Sequence, residues 1–183
     1  ACTYLLPPVL ATFRKKFPKV AVRLRELPED LAVDEFDAGD LDLVVASAAK
    51  RGELFRDETV VLVAAPDVDP ASLPFITFTR GSAVRALLDR HFPDAIIAME
   101  LASISTVKGS VRAGLGVALI SRTAVITDLA LGRLVEVKDP RTPIPRPLYV
   151  ISRGVERLSP AARALRAMLL ADAPKRPRRR RRG

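Results

Sequence analysis

The sequence predicts an α/β fold in which strands alternate with helices, divided into two lobes around a cleft. Three observations carry that prediction. In the stretch Val111-Arg112-Ala113-Gly114-Leu115-Gly116-Val117-Ala118-Leu119-Ile120-Ser121, an amphipathic segment stops at a glycine and a short apolar run leads straight to a serine. Gly114 suits the left-handed residue that closes a helix, and Val117 to Ile120 reads as a strand buried on both faces, the kind that parallel sheets use. Apolar spacing then switches repeatedly between the helical and the strand period along the chain. The pattern also breaks near Pro74 and again across Pro140, Pro143, Pro145 and Pro147, so the chain leaves one lobe, builds a second and returns. Strands linked by helices imply a parallel sheet with right-handed crossovers, and ligands in such sheets sit beyond the carboxyl ends of strands, where Ser121 falls.

Leu6, Val9, Leu10, Phe13 and Phe17 recur at helical spacing, which makes Tyr4 to Phe17 a helix with one buried face. Pro7 and Pro8 are tolerable only in its first turn, and Pro18 stops it. Val20, Val22 and Leu24 alternate with Ala21, Arg23 and Arg25 as a strand does. Glu29 to Ala38 is a short helix ending at Gly39, Leu41 to Ala46 an apolar strand, and Thr59 to Ala65 another. After Pro74, Phe75 to Thr79 is a strand, and Ser82 caps a helix on which Val84, Leu87 and Leu88 share a face. Ile96 to Leu101 is a strand, and Ser103 caps the helix that turns Ile104, Val107 and Val111 inward. The Val117–Ile120 strand leads into a helix from about Arg122 to Leu131 closed by Gly132. Leu134 to Val137 and Leu148 to Ser152 are strands. Ser159-Pro160 is a cap with proline at the first helical position, and Leu165, Met168 and Leu169 line the last helix.

At 183 residues, 49% hydrophobic and 28% charged, the chain reads as a soluble globular protein with a sizeable core. Neither a bilayer-length apolar run nor a signal pattern is visible, and the single cysteine, Cys2, allows no internal disulfide. A cytoplasmic location is therefore expected. The formal net charge is +9, and Lys175, Arg176, Arg178, Arg179, Arg180, Arg181 and Arg182 supply seven of those charges, leaving +2 for the rest. The tail has no apolar residues to bury, so residues 174–183 read as a disordered basic extension capable of non-specific contact with nucleic acid.

Seven segments occur in an order and spacing that resembles the effector-binding domain of LysR-type transcriptional regulators. They are YLLPPVLATFRKKFP, GDLDLVVA, PFITFTRGSAVRALL, SISTVKGSVRAGLGVALISRTAV, LGRLVEV, RPLYVISR and LSPAARAL, covering Tyr4 to about Leu170. The resemblance implies two Rossmann-like lobes joined by two crossing strands, like a type 2 periplasmic binding protein. It sets lobe I at 1–73 plus 147–173 and lobe II at 74–146. The winged helix-turn-helix of the family has no counterpart here, so DNA contact is expected only through such an N-terminal domain. Ala1-Cys2-Thr3 correspond to the end of the family's first strand, most of which has no counterpart either.

The implied pocket is built from helix N-termini, whose free N–H groups favour an anion. Segment by segment, the resemblance sets Cys2 and Thr3 at the first helix start and Ser47 after the strand VVA. It sets Thr79, Arg80, Gly81 and Ser82 in the turn after the crossing strand, Ser103 and Ile104 at the next helix start, and Ser121 after GLGVALI. Ser82 and Ser103 read equally as plain caps. Arg80 beside an exposed helix start can fork onto a carboxylate or phosphate, or simply face solvent. A small anionic effector follows.

Catalysis is not expected. His91 lies late on its helix and away from the cleft, no Ser-His-Asp set can be built around it, and one Cys with one His cannot supply ordinary zinc ligands. Asp37, Asp40 and Asp42 lack the remaining ligands of a calcium loop, so no metal and no cofactor are expected. The resemblance implies a homodimer or tetramer paired through the Leu6–Phe17 and Ile104–Val111 helices, in which Phe13 can turn to the partner. A solute-binding protein of a transporter, with the same fold, is the alternative.

Overall fold

Strand pairing divides the chain. The computed structural model describes residues 2–47 and 52–171. Along it run α1 (Cys2–Lys16), α2 (Glu29–Ala38), β1 (Val44–Ala46), β2 (Gly52–Arg56), β3 (Thr59–Ala64), β4 (Phe75–Phe78), α3 (Ala83–His91) and β5 (Ile97–Leu101). Next come α4 (Ile104–Arg112), β6 (Ala118–Ser121), α5 (Arg122–Ala130), β7 (Val135–Glu136), β8 (Ile144–Pro145), β9 (Leu148–Ile151) and α6 (Pro160–Ala171). The basic tail lies outside the described residues.

In the first group β9 runs antiparallel between β1 and β2. Helices α1 and α6 cover this sheet through Leu6 and Leu169, which bury with Phe55, Leu148 and Val150. Phe36 of α2 packs with Val44, Ala46 and Ile151. Phe13 is 1% exposed, so it faces the chain's own core rather than a partner. Helix α1 begins at Cys2, which moves Pro7 and Pro8 out of the first turn; both are exposed, and each removes one bond of the backbone ladder.

In the second group β3 lies between β6 and β7 and also pairs with β8, antiparallel to all three. The parallel pair β4–β5 joins the same layer through Val117, whose N–H donates to the Pro74 carbonyl at 3.0 Å and whose carbonyl accepts the Ile76 N–H at 2.8 Å. The expected all-parallel sheet is thus a mixed one. Strands linked by helices run in one sense, as crossover helices require, and β3 alone opposes them because it enters from the other group. Both faces are buried: Val61, Val63, Ala118 and Ile120 point to one side, Val60, Leu62, Val117 and Leu119 to the other.

The pairing of β3 with β6 puts Thr59–Ala64, which precede the expected boundary at Pro74, in the second strand group. The Pro- and Asp-containing loop there connects two strands of one layer, and the chain changes group earlier, between Arg56 and Thr59. It returns between Pro145 and Leu148. These crossings lie side by side, for Arg56 pairs with Leu148, Thr59 with Pro145, and the Arg146 N–H donates to the Glu58 carbonyl at 2.8 Å.

One further expectation fails, and one strand carried no signal in the sequence. Val20 to Arg25 forms no ladder, and Val22 and Leu24 are 43% and 54% exposed. The edge of β1 away from β9 carries no described strand, so the alternating pattern has nothing to pair with. Gly52–Arg56, with Leu54 and Phe55 adjacent rather than alternating, forms β2 without any periodic signal in the sequence.

The expected helix closure at Gly114 is present, at φ +76°. Gly116 serves a different need. A Cβ there would lie 2.6 Å from the Pro74 carbonyl and 2.8 Å from Ile76 Cγ1, so only glycine lets β4 approach this closely.

Candidate functional site

A cavity of about 970 Å³ opens between the two groups. Its second-group wall is made where helices begin: Gly81, Ser82 and Ala83 at α3, Ser103, Ile104 and Ser105 at α4, and Ser121 before α5. Ser47, at the end of β1, and Leu148 form part of the opposite wall. The cavity also reaches beneath residues 20–28 towards Leu6 and Phe13, into the space beside the open edge of β1. A smaller opening of about 720 Å³ shares Glu29, Ser47, Gly81, Ser82 and Ala83 and adds Arg80 with Asp30 and Asp34 of α2.

The structure brings Ser47, Gly81, Ser82, Ser103, Ile104 and Ser121 to one cavity, but three of their hydroxyls are already engaged. Ser82 Oγ accepts the Arg85 N–H at 3.1 Å, a helix cap. Ser47 donates to Glu29 Oε2 from its hydroxyl at 2.7 Å and its N–H at 3.2 Å. Ser121, 8% exposed, donates from Oγ to Glu58 Oε2 at 2.6 Å. Thr123 Oγ1 donates to the other oxygen of the same carboxylate at 2.9 Å. Glu58, 6% exposed, therefore ties the start of α5 to the first crossing.

Ser103 differs from the other three. It occupies the position before α4, yet its side chain makes no cap bond and is exposed. The expected cap is therefore absent, and that hydroxyl points from a helix start whose first-turn N–H groups have no intrahelical acceptors. Ser105, on the same turn and the same wall, was not singled out from the sequence, although S-I-S-T at a helix start carries the signal.

The remaining expected site residues are scattered. Arg80 is exposed at the rim of the smaller opening. Thr79 is exposed and lines neither cavity; its carbonyl accepts the Ser82 N–H at 3.2 Å. Cys2 and Thr3 lie in the first turn of α1, and their side chains fall outside the described residues.

The turn that carries Arg80 to Ser82 is anchored from behind. Arg85, buried on α3, donates to Asp89 Oδ1 at 2.8 Å and to the Glu100 carboxylate of β5. Glu100 Oε1 also accepts the Arg80 N–H at 3.4 Å. The Arg85 hydrogen bond holds the Glu100 carboxyl below the usual carboxylate range, and Asp89 first, then Glu100, raises the Arg85 guanidinium further. Among the described residues there is no group of three or more side chains suited to a metal ion, and no helix long and apolar enough to cross a membrane.

Two α/β groups joined by paired crossings, with helix starts and hydroxyls around the cleft between them, define a small-molecule binding domain. The chain belongs to the LysR substrate binding domain family, whose model matches residues 1–174. It is 28% identical over 190 residues to the RuBisCO operon transcriptional regulator of Allochromatium vinosum, covering 93% of this chain and 63% of that protein. The chain thus spans less than two thirds of that relative. The CcmR regulatory domain of Synechocystis PCC6803, solved in complex with 2-PG, superposes with a TM-score of 0.80 at 23% identity, over 96% of this chain and 94% of that one. The QuiR effector binding domain, in complex with shikimate, does so with a TM-score of 0.74 at 16% identity, over 93% and 91%. At those identities the two structures bear on the fold, and they agree with the two-lobed, periplasmic-binding-protein-like architecture.

Proposed function

We propose that this chain is the effector-binding and oligomerisation domain of a LysR-type transcriptional regulator, and that it senses a small anionic metabolite in the cleft. The observation that carries the reading is the start of α4. Ser103 presents a hydroxyl that no cap consumes, beside first-turn N–H groups at the positive end of a helix, and it faces the cavity between the groups. Ile104, Ser105, Gly81 and Ser82 complete that wall. Arg80 stands at the rim as a steering and secondary contact, because exposure limits a single charge there to about 1 kcal/mol or less. The twofold pairing through α1 and α4, contact with DNA through a separate domain, and residence in the cytoplasm belong to this same reading. Membership of the LysR substrate binding domain family favours it over the transport alternative.

A thermal-shift and calorimetric titration with 2-PG and with shikimate tests it. At a hundred times its dissociation constant, a ligand adds about 2.7 kcal/mol and raises the melting temperature by several degrees. Ser103→Ala should weaken a charged ligand by roughly 1.5–3 kcal/mol, and Arg80→Ala by less. Failure of every small organic or phosphorylated acid to shift the melt would sink the reading.

A further inference from the structure

Three arginines line the large cavity: Arg23, Arg25 and Arg146. Arg25 is exposed and forked onto Glu35 at 2.5 and 3.0 Å, and Arg23 is exposed on the unpaired segment after α1. Arg146 alone of the three is half-buried, where an ionic contact is less screened by water. Its place in the fold is also distinct. It lies on the second crossing, between Pro145 of β8 and Leu148 of β9, and its N–H donates to the Glu58 carbonyl of the first crossing at 2.8 Å. Ser121 is opposite Val60 on one side of β3, and Ile144 is opposite the same Val60 on the other. Arg146 thus stands at the junction where both crossings, the end of β6 and the cavity wall meet.

We infer that Arg146 is a ligand-contacting, specificity-determining residue that engages the anionic group of the effector at the hinge itself. This rests on the effector-binding reading above and adds the residue that links binding to the crossings. The guanidinium supplies a fork that matches a carboxylate or phosphate, which a hydroxyl and helix N–H groups alone do not. A ligand held by Ser103 on one wall and Arg146 at the second crossing ties the start of α4 to the paired crossings between the groups. Its occupancy then bears directly on their relative disposition.

The test is calorimetric titration of the intact chain and of Arg146→Gln and Arg146→Lys with 2-PG and shikimate. The bond to Glu58 uses the backbone N–H, which both substitutions keep, and a cooperative melt confirms folding of each variant. The expected result is a loss of about tenfold to a hundredfold in affinity for Gln, with Lys in between because it keeps the charge without the fork. The salt dependence of affinity should flatten in the Gln variant, a response that loss of packing would not give. Binding at parental affinity in both variants overturns the inference while leaving the effector-binding reading intact. If no small organic or phosphorylated acid binds the parent chain, the inference falls together with that reading.

Discussion

Ser82 and Ser103 look interchangeable in the sequence, since each precedes an amphipathic run at a helix start. The structure separates them by what their hydroxyls touch. Ser82 Oγ accepts the Arg85 N–H, so Ser82→Ala should cost about 1 kcal/mol of stability, with little direct effect on ligand. Ser103 Oγ caps nothing, so Ser103→Ala should leave the denaturation midpoint nearly unchanged and act on binding. Urea titration of the two variants distinguishes the roles; equal destabilisation would make both of them caps. Ser47 and Ser121 were legible as strand-end serines but not as engaged ones. Their partners, Glu29 and Glu58, lie 18 and 63 residues away in the chain, and no local spacing reports such pairs. Glu58 and Arg146 carried no signal for the same reason. Their importance comes from two crossings lying side by side, a tertiary fact.

At the scale of elements, what the sequence shows well is what local physics determines. Apolar spacing placed α2 to α6 and β3 to β6, and Gly114 and Gly132 closed their helices at positive φ. Segments that depend on a neighbour were misread. Val20 to Arg25 alternates as a strand does but has no described strand beside it, and β2 is a strand only because β9 pairs with it. The tether of α3 to β5 belongs at this scale too, and it is sensitive to acid. Folding lowers the Glu100 pKa through the Arg85 hydrogen bond, so the unfolded chain binds the proton first as the pH drops below Glu100's ordinary value of 4.5. Stability from this tether is complete above that value and is lost as the pH falls through the lowered one. Glu100→Gln should therefore melt lower than the parent at pH 7 and converge with it towards pH 3. A constant gap between the two melting curves across that range would remove the charge from the account.

For the whole molecule, the decisive feature is that two groups with separate cores are joined through the chain at residues 56–59 and 145–148, beside the cavity. Each core is closed by its own helices, β9 with α1 and α6 in one, and β3 and β6 with α3, α4 and α5 in the other. One further bridge spans them: Lys108 Nζ of α4 lies 5.6 Å from the Tyr4 ring of α1, while also bonded to the Ala124 carbonyl at 2.8 Å and paired with Asp128 at 2.5 Å. A ligand gripping only one wall would protect that group's amides and leave the other's exchange unchanged, because opening of each core would remain independent. A ligand seated between the walls has affinity only for the arrangement in which both are formed, so it must slow opening of both. Under the proposed reading, hydrogen exchange at saturation with whichever small acid raises the melting temperature should therefore show added protection at the start of α4, at both crossings, and in β9 as well as β6. Protection confined to β6 and its helices would move the ligand off the cleft and onto the second group alone.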